Sequence, residues 1–157
     1  MNETTQLLTP DEARSQLGFE VLYKQYSECM HVLHGDTFFI EREQLSAVLR
    51  SRTEMILFSI NDGIVIGTAQ ASLIHTPPLF QVMFSNVAVR EDRQKEGVGK
   101  NLITYLTMMV KAQWGKVRPL RVFLTNEPSK QNGAFYQKLD FTPRIDERVT
   151  IVWEKII

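Results

Sequence analysis

The sequence predicts a single mixed α/β domain, and three observations support this prediction. The chain has 157 residues, the length of one ordinary domain, and no repeat, low-complexity tract or linker divides residues 1–157. Strand-like stretches and a hairpin signal occupy its middle, whereas helical spacing of apolar residues dominates on both sides. A strand, a helix and another strand then follow in succession, and such a crossover predicts that these two strands are parallel.

Two helices are predicted near the N-terminus. The segment Thr9-Pro10-Asp11-Glu12 is typical of a helix start, because Thr favours the N-cap, Pro the first turn and acids the positive end of the helix dipole. This helix continues to Tyr26, with Gly18 as a weak point. Residues 31–39 then form a loop, and residues 41–50 form a second, shorter helix.

The middle of the chain is predicted to be β structure. A strand over residues 55–60 runs into Asn61-Asp62-Gly63, which favours a hairpin turn because these residues tolerate positive φ. The return strand covers residues 64–74, with Gly67 at a bulge position. A third strand covers residues 80–89.

Helical spacing returns after residue 98 and marks one long helix. Gly115 and Pro119 end this helix, and residues 120–124 form a short strand. A further helix over about residues 129–139 and a strand over residues 149–153 complete the prediction. Four aromatic residues fall on predicted core faces: Phe80, Phe84, Trp114 and Phe123.

Composition excludes several classes of function. Eighteen basic and eighteen acidic residues cancel, whereas binding to nucleic acid needs a basic excess. No stretch approaches the roughly 18 unbroken apolar residues of a membrane span, and residues 1–6 lack the pattern of a signal peptide. The single cysteine, Cys29, fits a reducing compartment. We therefore expect a soluble cytoplasmic protein that binds neither nucleic acid nor membranes, and the sequence leaves a homodimer open.

The turn between the third strand and the long helix has the composition of an anion site. It is Gln94-Lys95-Glu96-Gly97-Val98-Gly99-Lys100, and its glycines let the backbone approach a ligand closely. Unpaired N–H groups at a helix N-terminus favour a phosphate or a pyrophosphate. Two common phosphate motifs do not fit. A P-loop would need glycine at Gln94 and Ser or Thr at Asn101, and a dinucleotide fingerprint would need glycine at Leu102.

The pattern that remains, Gln94-x-x-Gly97-x-Gly99 after a Val-Ala-Val strand, resembles the acetyl-CoA signature Arg/Gln-x-x-Gly-x-Gly/Ala of the GNAT superfamily of N-acetyltransferases. A second motif of that family, a Leu/Phe-Tyr pair followed by a closing Gly-Phe, is similar to Phe135-Tyr136 and Asp140-Phe141. Ser129 stands where the family usually has Asn, and Asp140 where it usually has Gly. The resemblance covers roughly residues 50–153.

The resemblance implies a central, mostly antiparallel sheet that splays open between two parallel strands and is flanked by about four helices. Acetyl-CoA, the acyl donor, would lie in the opening. Its pantetheine would bond to the strand backbone as an added strand does, and its pyrophosphate would meet the amides of residues 95–100. The implied cofactor contacts are Val87, Ala88, Val89, Gln94, Lys95, Glu96, Gly97, Val98, Gly99, Lys100 and Ser129.

The resemblance also implies that Tyr136 lies beside the cofactor sulfur and acts as general acid. A backbone N–H at the strand end, such as that of Val89, would stabilise the oxyanion. Many relatives place a Glu base on the central strand, but Ser85 occupies the matching position here, and a neutral hydroxyl cannot act as a base. Three acids remain as candidates, and none is assigned: Asp36, Glu41 and Glu43.

Other features and functions are weighed against this hypothesis. Cys29-x-His31-x-x-His34 has the spacing of metal ligands, but no second cluster completes four ligands, and we predict no metal site. The sequence does not decide whether Trp153 packs beside the acceptor or at a dimer contact.

The leading prediction is transfer of an acetyl group to a small primary amine. A peptide or protein amine, a non-catalytic acyl-CoA-binding or sensing module, and a domain that binds nothing are the alternatives.

Overall fold

A computed structural model of the protein describes residues 5–76, 79–116, 119–126, 133–145 and 151–157. These residues form one sheet whose seven strands are β1 (Gln6–Leu8), β2 (Glu54–Asn61), β3 (Ile64–Thr76), β4 (Leu79–Val89), β5 (Arg121–Asn126), β6 (Thr142–Ile145) and β7 (Ile151–Ile156). The helices are α1 (Pro10–Leu17), α2 (Phe19–His34), α3 (Arg42–Leu49), α4 (Val98–Trp114) and α5 (Gly133–Gln137).

The strands lie in the order β1-β2-β3-β4-β5-β7-β6. Neighbouring strands are antiparallel except β4 and β5, which are parallel and joined through α4. The predicted mixed sheet and its crossover are therefore confirmed.

Two differences from the predicted elements lie in the N-terminal part of the chain. Gly18, at φ 77°, ends α1 and begins α2, so the weak point is a complete break. The loop predicted over residues 31–39 is wrong for its first four residues, because α2 continues to His34. The buried side chains of Cys29 and Met30 extend the apolar face of this helix, and Gly35 ends it at φ 74°.

The two edge strands of the sheet were not predicted. They are β6, in the C-terminal third of the chain, and β1, near the N-terminus. The last strand begins at Ile151, and residues 149 and 150 of its predicted range lie outside the described residues. The final helix is described over Gly133–Gln137, and residues 129–132 of its predicted range are also outside.

The sheet separates two apolar clusters. One lies under α1, α2 and α3 and includes Leu22, Leu45 and Phe58, all fully buried. The other lies under α4 and α5 and includes Leu102 and Leu106. Of the four aromatic residues predicted for the core, Phe84 is buried and Phe80 and Trp114 pack against the same cluster, whereas Phe123 is half-buried with Arg121 over its ring.

Gly67 lies in close contact with the start of α4. A Cβ atom there would lie 2.9 Å from Leu102 Cδ1 and 3.0 Å from Val98 Cγ1, so any larger residue would force these side chains or the helix to shift. The predicted bulge lies next to it: the register of β2 and β3 shifts between Ser59 and Ile60 and leaves Ile66 as the extra residue. The close contact fixes the start of α4 against the strands.

Substitution of Gly67 by Ala is expected to destabilise the protein by ~1–3 kcal/mol, because the added methyl group overpacks the contact with α4. Chemical denaturation would measure this difference. The matched control is Gly99→Ala, where the new Cβ would lie at an ordinary 3.4 Å from Phe135 Cζ. That control removes a glycine from a helix and should not lower stability. Equal stability of Gly67→Ala and the unmodified protein would show that α4 can shift at no cost.

Candidate functional site

The two parallel strands pair over only part of their length. Residues Gln81–Met83 of β4 pair with Arg121–Phe123 of β5. Strand β4 then continues to Val89, and β5 continues to Asn126 while still paired with β7. The described sheet therefore opens between its central strands, towards the ends of these strands.

A bulge lies in β4 at this opening. The register between β3 and β4 shifts so that Asn86 and Val87 together oppose a single residue, Ala69. Asn86 has a positive φ of 51°, a left-handed conformation that Asn tolerates better than most residues. The bulge turns the last residues of β4 relative to the rest of the strand.

The polar turn after β4 leads directly into α4. A single 3₁₀ turn, Glu91–Arg93, is followed by two left-handed residues, Lys95 at φ 68° and Gly97 at φ 84°. Helix α4 begins after Gly97 with no side-chain cap and no acidic residue in its first turn. The first N–H groups of α4, at the positive end of the helix dipole, are therefore available to an anion.

Side-chain hydrogen bonds hold the shape of this turn. The Gln94 side-chain amide donates to the carbonyl oxygen of Val89 at 3.2 Å, which ties the turn to the end of β4. Arg93 donates to Glu96 at 2.9 Å and to the Asn61 side chain at 3.2 Å. These bonds connect the turn to the end of β4 and to the β2–β3 hairpin, and they hold the backbone amides of the turn in place.

A cavity of about 500 Å³ lies over the opening and the turn. It brings together nine of the residues predicted for the site: Val87, Val89, Gln94, Lys95, Gly97, Val98, Gly99, Lys100 and Tyr136. The cavity is also lined by four residues that were not predicted: Val32, Leu33, Arg93 and Phe135. Val32 and Leu33 belong to α2, which is distant in sequence from both motifs, whereas Arg93 directly precedes the predicted turn and Phe135 precedes Tyr136.

Three predicted residues do not line this cavity. Ala88 is buried on the other face of the sheet, against the cluster under α1, α2 and α3. The side chain of Glu96 is exposed and paired with Arg93. Ser129 lies outside the described residues.

Tyr136 lies on α5 among aromatic rings and is 8% exposed. Its ring centroid is 5.3 Å from that of Phe135, 6.2 Å from Phe141 and 5.7 Å from Trp153. Burial raises the pKa of Tyr136, so the phenol keeps its proton to higher pH than an exposed tyrosine would. Trp153, left open by the sequence, is 4% exposed and packs against Tyr136 and Gly133, which makes it a core residue.

A second cavity, of about 260 Å³, lies between the sheet and the helices α2 and α3. Its floor is formed by Ile56, Gln70 and Asn86, one residue from each of the strands β2, β3 and β4. Asn86 and Val87 are neighbours in the bulge, so one strand segment lines both cavities. The two cavities therefore adjoin β4 at the point where it leaves β5.

The acids considered as a base do not line either of these two cavities. Asp36, Glu41 and Glu43 are exposed, and Ser85 pairs with Gln70 across β3 and β4. A larger cavity, of about 740 Å³, lies on the outer surface of α2 beside residues 38–42. It contains none of the predicted site residues, and its size alone does not indicate a function.

Cys29 is fully buried, and its thiol points to the Ala88 carbonyl oxygen at 3.9 Å. His34 instead stacks on Phe38, with ring centroids 5.3 Å apart. Among the described residues, no group of three or more His, Cys, Asp and Glu side chains could hold a metal ion. None of the described helices combines the length and apolar character needed to span a bilayer.

Comparison with known proteins gives the family. The profile described as "Acetyltransferase (GNAT) domain" matches residues 52–143, which include the open strands, the turn and Tyr136. The chain belongs to the GNAT acetyltransferase family. No curated protein matches the sequence of this GNAT protein significantly.

Solved structures share the GNAT fold at low sequence identity. Glucosamine-6-phosphate N-acetyltransferase from Arabidopsis thaliana is 15% identical, with a TM-score of 0.71 over 92% of this chain and 96% of that one. PaiA N-acetyltransferase from Thermoplasma acidophilum, crystallised with coenzyme A, is 15% identical, with a TM-score of 0.71 over 98% and 99%. An Arabidopsis thaliana protein in complex with the bisubstrate analogue CoA-Ac-MVNAL is 15% identical, with a TM-score of 0.68 over 96% and 97%.

Replacement of Gly97 by Ala is expected to weaken coenzyme A binding to this GNAT protein about tenfold, the factor that ~1.4 kcal/mol represents. A side chain at φ 84° is strained by ~1–2 kcal/mol, and relief of that strain moves the amides that begin α4. Calorimetry would measure the affinity. The control is Gly63→Ala, at φ 75° in the hairpin, which should lower stability similarly but leave coenzyme A affinity unchanged. Equal affinity in both variants would contradict a ligand role for the turn.

The thiol of Cys29 is expected to be unreactive in the folded protein. Burial raises the pKa of Cys29 to about 12, and the charge of Arg90 offsets part of this rise. The nucleophilic thiolate is therefore scarce at mildly alkaline pH. An aromatic disulfide reagent should detect no thiol before denaturation and one per chain afterwards, because the sequence contains one cysteine. Rapid reaction of the native protein would show that α2 opens readily from the sheet.

Proposed function

We propose that this protein is an acetyl-CoA-dependent N-acetyltransferase that moves an acetyl group to a primary amine by direct attack of that amine. One observation supports the proposal above all others. The opening between β4 and β5, the glycine turn at the start of α4, and Tyr136 line one continuous cavity. A ligand with an extended arm and a diphosphate end would match these three parts.

The residues of the opening fit acetyl-CoA as donor. When bound, acetyl-CoA supplies a thioester whose carbonyl carbon is open to attack by an amine. The backbone of Val87 and Val89 lies beyond the last described pair with β5 and offers a strand edge to the pantetheine, and the amides of residues 95–100 offer donors to the diphosphate. The Thermoplasma acidophilum structure, which shares the fold, was crystallised with coenzyme A, and this supports a coenzyme A thioester as the donor.

Tyr136 is proposed as the proton donor to the departing thiolate. Its pKa is raised by burial, so it remains in the protonated form that an acid requires. The same shift makes it a weaker acid than the ordinary phenol of pKa about 10, while a thiol has a pKa of about 8.5. Its contribution therefore depends on the placement of the O–H beside the sulfur rather than on acid strength.

The amine must reach the site neutral, because an ammonium has no lone pair with which to attack. No base is assigned, since Ser85 cannot accept the proton and the three candidate acids lie away from both cavities. The backbone N–H of Val89 is proposed as the hydrogen-bond donor to the oxyanion.

A small amine is the preferred acceptor, and a peptide amine is the alternative. Residence in the cytoplasm and formation of a homodimer stay predictions.

A non-catalytic module that binds or senses acyl-CoA is the second candidate. The absence of a strand carboxylate at Ser85 favours it. Such a module would be stabilised against heat by coenzyme A yet would release no thiol from acetyl-CoA with any amine, so the two candidates give opposite results in one assay.

Substitution of Tyr136 by Phe is expected to lower kcat by at least about 100-fold, the lower limit for a positioned general acid. Steady-state release of free thiol from acetyl-CoA would measure this effect. Affinity for coenzyme A should stay the same, because the Phe ring can fill the place of the Tyr ring among its aromatic neighbours.

The matched control is Tyr105→Phe. Tyr105 lies on α4, packs against the same apolar cluster and does not line the cavity. Its variant should turn over as the unmodified protein does. If Tyr136→Phe also retained full kcat, Tyr136 would have no part in the chemistry.

A further inference from the structure

Three polar side chains form a hydrogen-bonded chain across β2, β3 and β4. Gln70 Nε2 donates to Glu54 Oε2 at 2.8 Å, and Asn86 Nδ2 donates to Gln70 Oε1 at 2.9 Å. Ser72 Oγ also donates to Glu54 Oε2, at 2.6 Å. The chain lies on the sheet face covered by α2 and α3, and its last two members line the smaller cavity.

The carboxylate at one end of this chain sets the direction of both amides. A carboxylate can only accept hydrogen bonds, so Gln70 must turn its NH₂ group towards Glu54 and its oxygen towards Asn86. Asn86 must then use its NH₂ group for Gln70, which directs its Oδ1 atom away from the chain. His34 Nε2, 3.5 Å from Oδ1, is the only other described group bonded to this side chain. A carbonyl oxygen has two lone pairs, so Asn86 Oδ1 can accept a second hydrogen bond beside this long contact with His34.

The rest of the cavity is apolar. Its described lining includes Phe38, Leu45, Val48 and Ile56 and has no residue with a formal charge. Burial raises the pKa of Tyr26, also in the lining, to about 12, so this phenol is neutral as well. Transfer of a second ammonium group into such surroundings is costly when no carboxylate pairs with it. The volume of 260 Å³ is slightly below the roughly 300–1,000 Å³ typical of larger ligands, which favours a compact substituent.

We propose that this cavity receives a monoamine with a compact apolar substituent, and that Asn86 Oδ1 accepts an N–H bond from its amino group. Glu54 is a positioning residue that acts through Gln70 and does not touch the amine. The bulge supports this assignment. Asn86 lines the smaller cavity, and the next residue, Val87, lines the cavity over the glycine turn, where acetyl-CoA is proposed to bind. The inference rests on the proposed acetyl transfer and adds the class of acceptor to it.

The test compares three amines as acceptors in the thiol-release assay: isobutylamine, 1,4-diaminobutane and a short peptide with a free N-terminus. The unmodified protein should have a kcat/KM for isobutylamine at least about tenfold above those for the other two, measured at equal concentrations of the neutral amine. A preference for the diamine or the peptide would refute the proposed acceptor class. No thiol release with any amine would refute the acetyl transfer itself, and the inference with it.

Asn86→Gly is the variant of choice, because glycine adopts a φ of 51° without strain and the variant removes only the side chain. We expect kcat/KM for isobutylamine to fall about tenfold through a higher amine KM, with the acetyl-CoA KM unchanged. The matched control is Asp62→Gly, which removes a side chain at φ 48° in the β2–β3 hairpin. Equal kinetics of the two variants would mean that Asn86 serves only the backbone conformation.

Glu54→Gln tests the positioning role independently of the bulge. A glutamine both donates and accepts, so the chain can run in either direction, and Asn86 presents oxygen for part of the time. A loss of about threefold in kcat/KM for isobutylamine is expected. The same change should have no effect in the Asn86→Gly background, because Glu54 acts through Asn86. Independent, multiplicative losses in the double variant would overturn the assignment.

Discussion

The early end of pairing between β4 and β5 is the constraint on which the site depends. Backbone N–H and C=O groups that leave a strand pair must find another partner or water. Among the described residues, three pairs hold the parallel strands together, and β4 then continues to Val89 with β3 as its strand neighbour. The edge that results lies in the centre of a sheet and is enclosed by helices on both sides. The extended arm of a ligand could therefore bond to this edge without exposure of the core.

Several features next to this opening keep it from closing. The bulge at Asn86 turns the end of β4, and Gly67 lets α4 approach the sheet so closely that the helix start is fixed. The Gln94 amide binds the Val89 carbonyl oxygen and links the strand end to the turn. Strand β5 is meanwhile paired with β7 along its full length, so it cannot follow β4. The geometry is therefore set by packing and does not require a ligand.

Local patterns in the sequence predicted the part of the site that local conformation determines. The glycines at 97 and 99, the helix that follows them and the crossover to β5 depend on residues close together in the chain, and the structure contains each of them. Tyr136 was predicted through the resemblance to a second motif of the family, and its side chain lines the cavity. The short edge strands β1 and β6 were not predicted, because three or four residues give too little alternation to detect. The hydrogen bonds that join the side chains of Glu54, Gln70 and Asn86 could not be predicted either, because they depend on strand registers that include a bulge.

The left-handed backbone at Asn86 limits how this protein can diverge. Few residue types tolerate that conformation, chiefly Gly, Asn, Asp and His, and each would give the floor of the smaller cavity a different chemistry: bare, amide, anionic or basic. Divergence at this position would therefore proceed in a few discrete jumps between ligand preferences, with no graded series of side-chain sizes in between. A backbone angle fixed by the sheet would in this way restrict the range of functions that descendants of the chain can acquire.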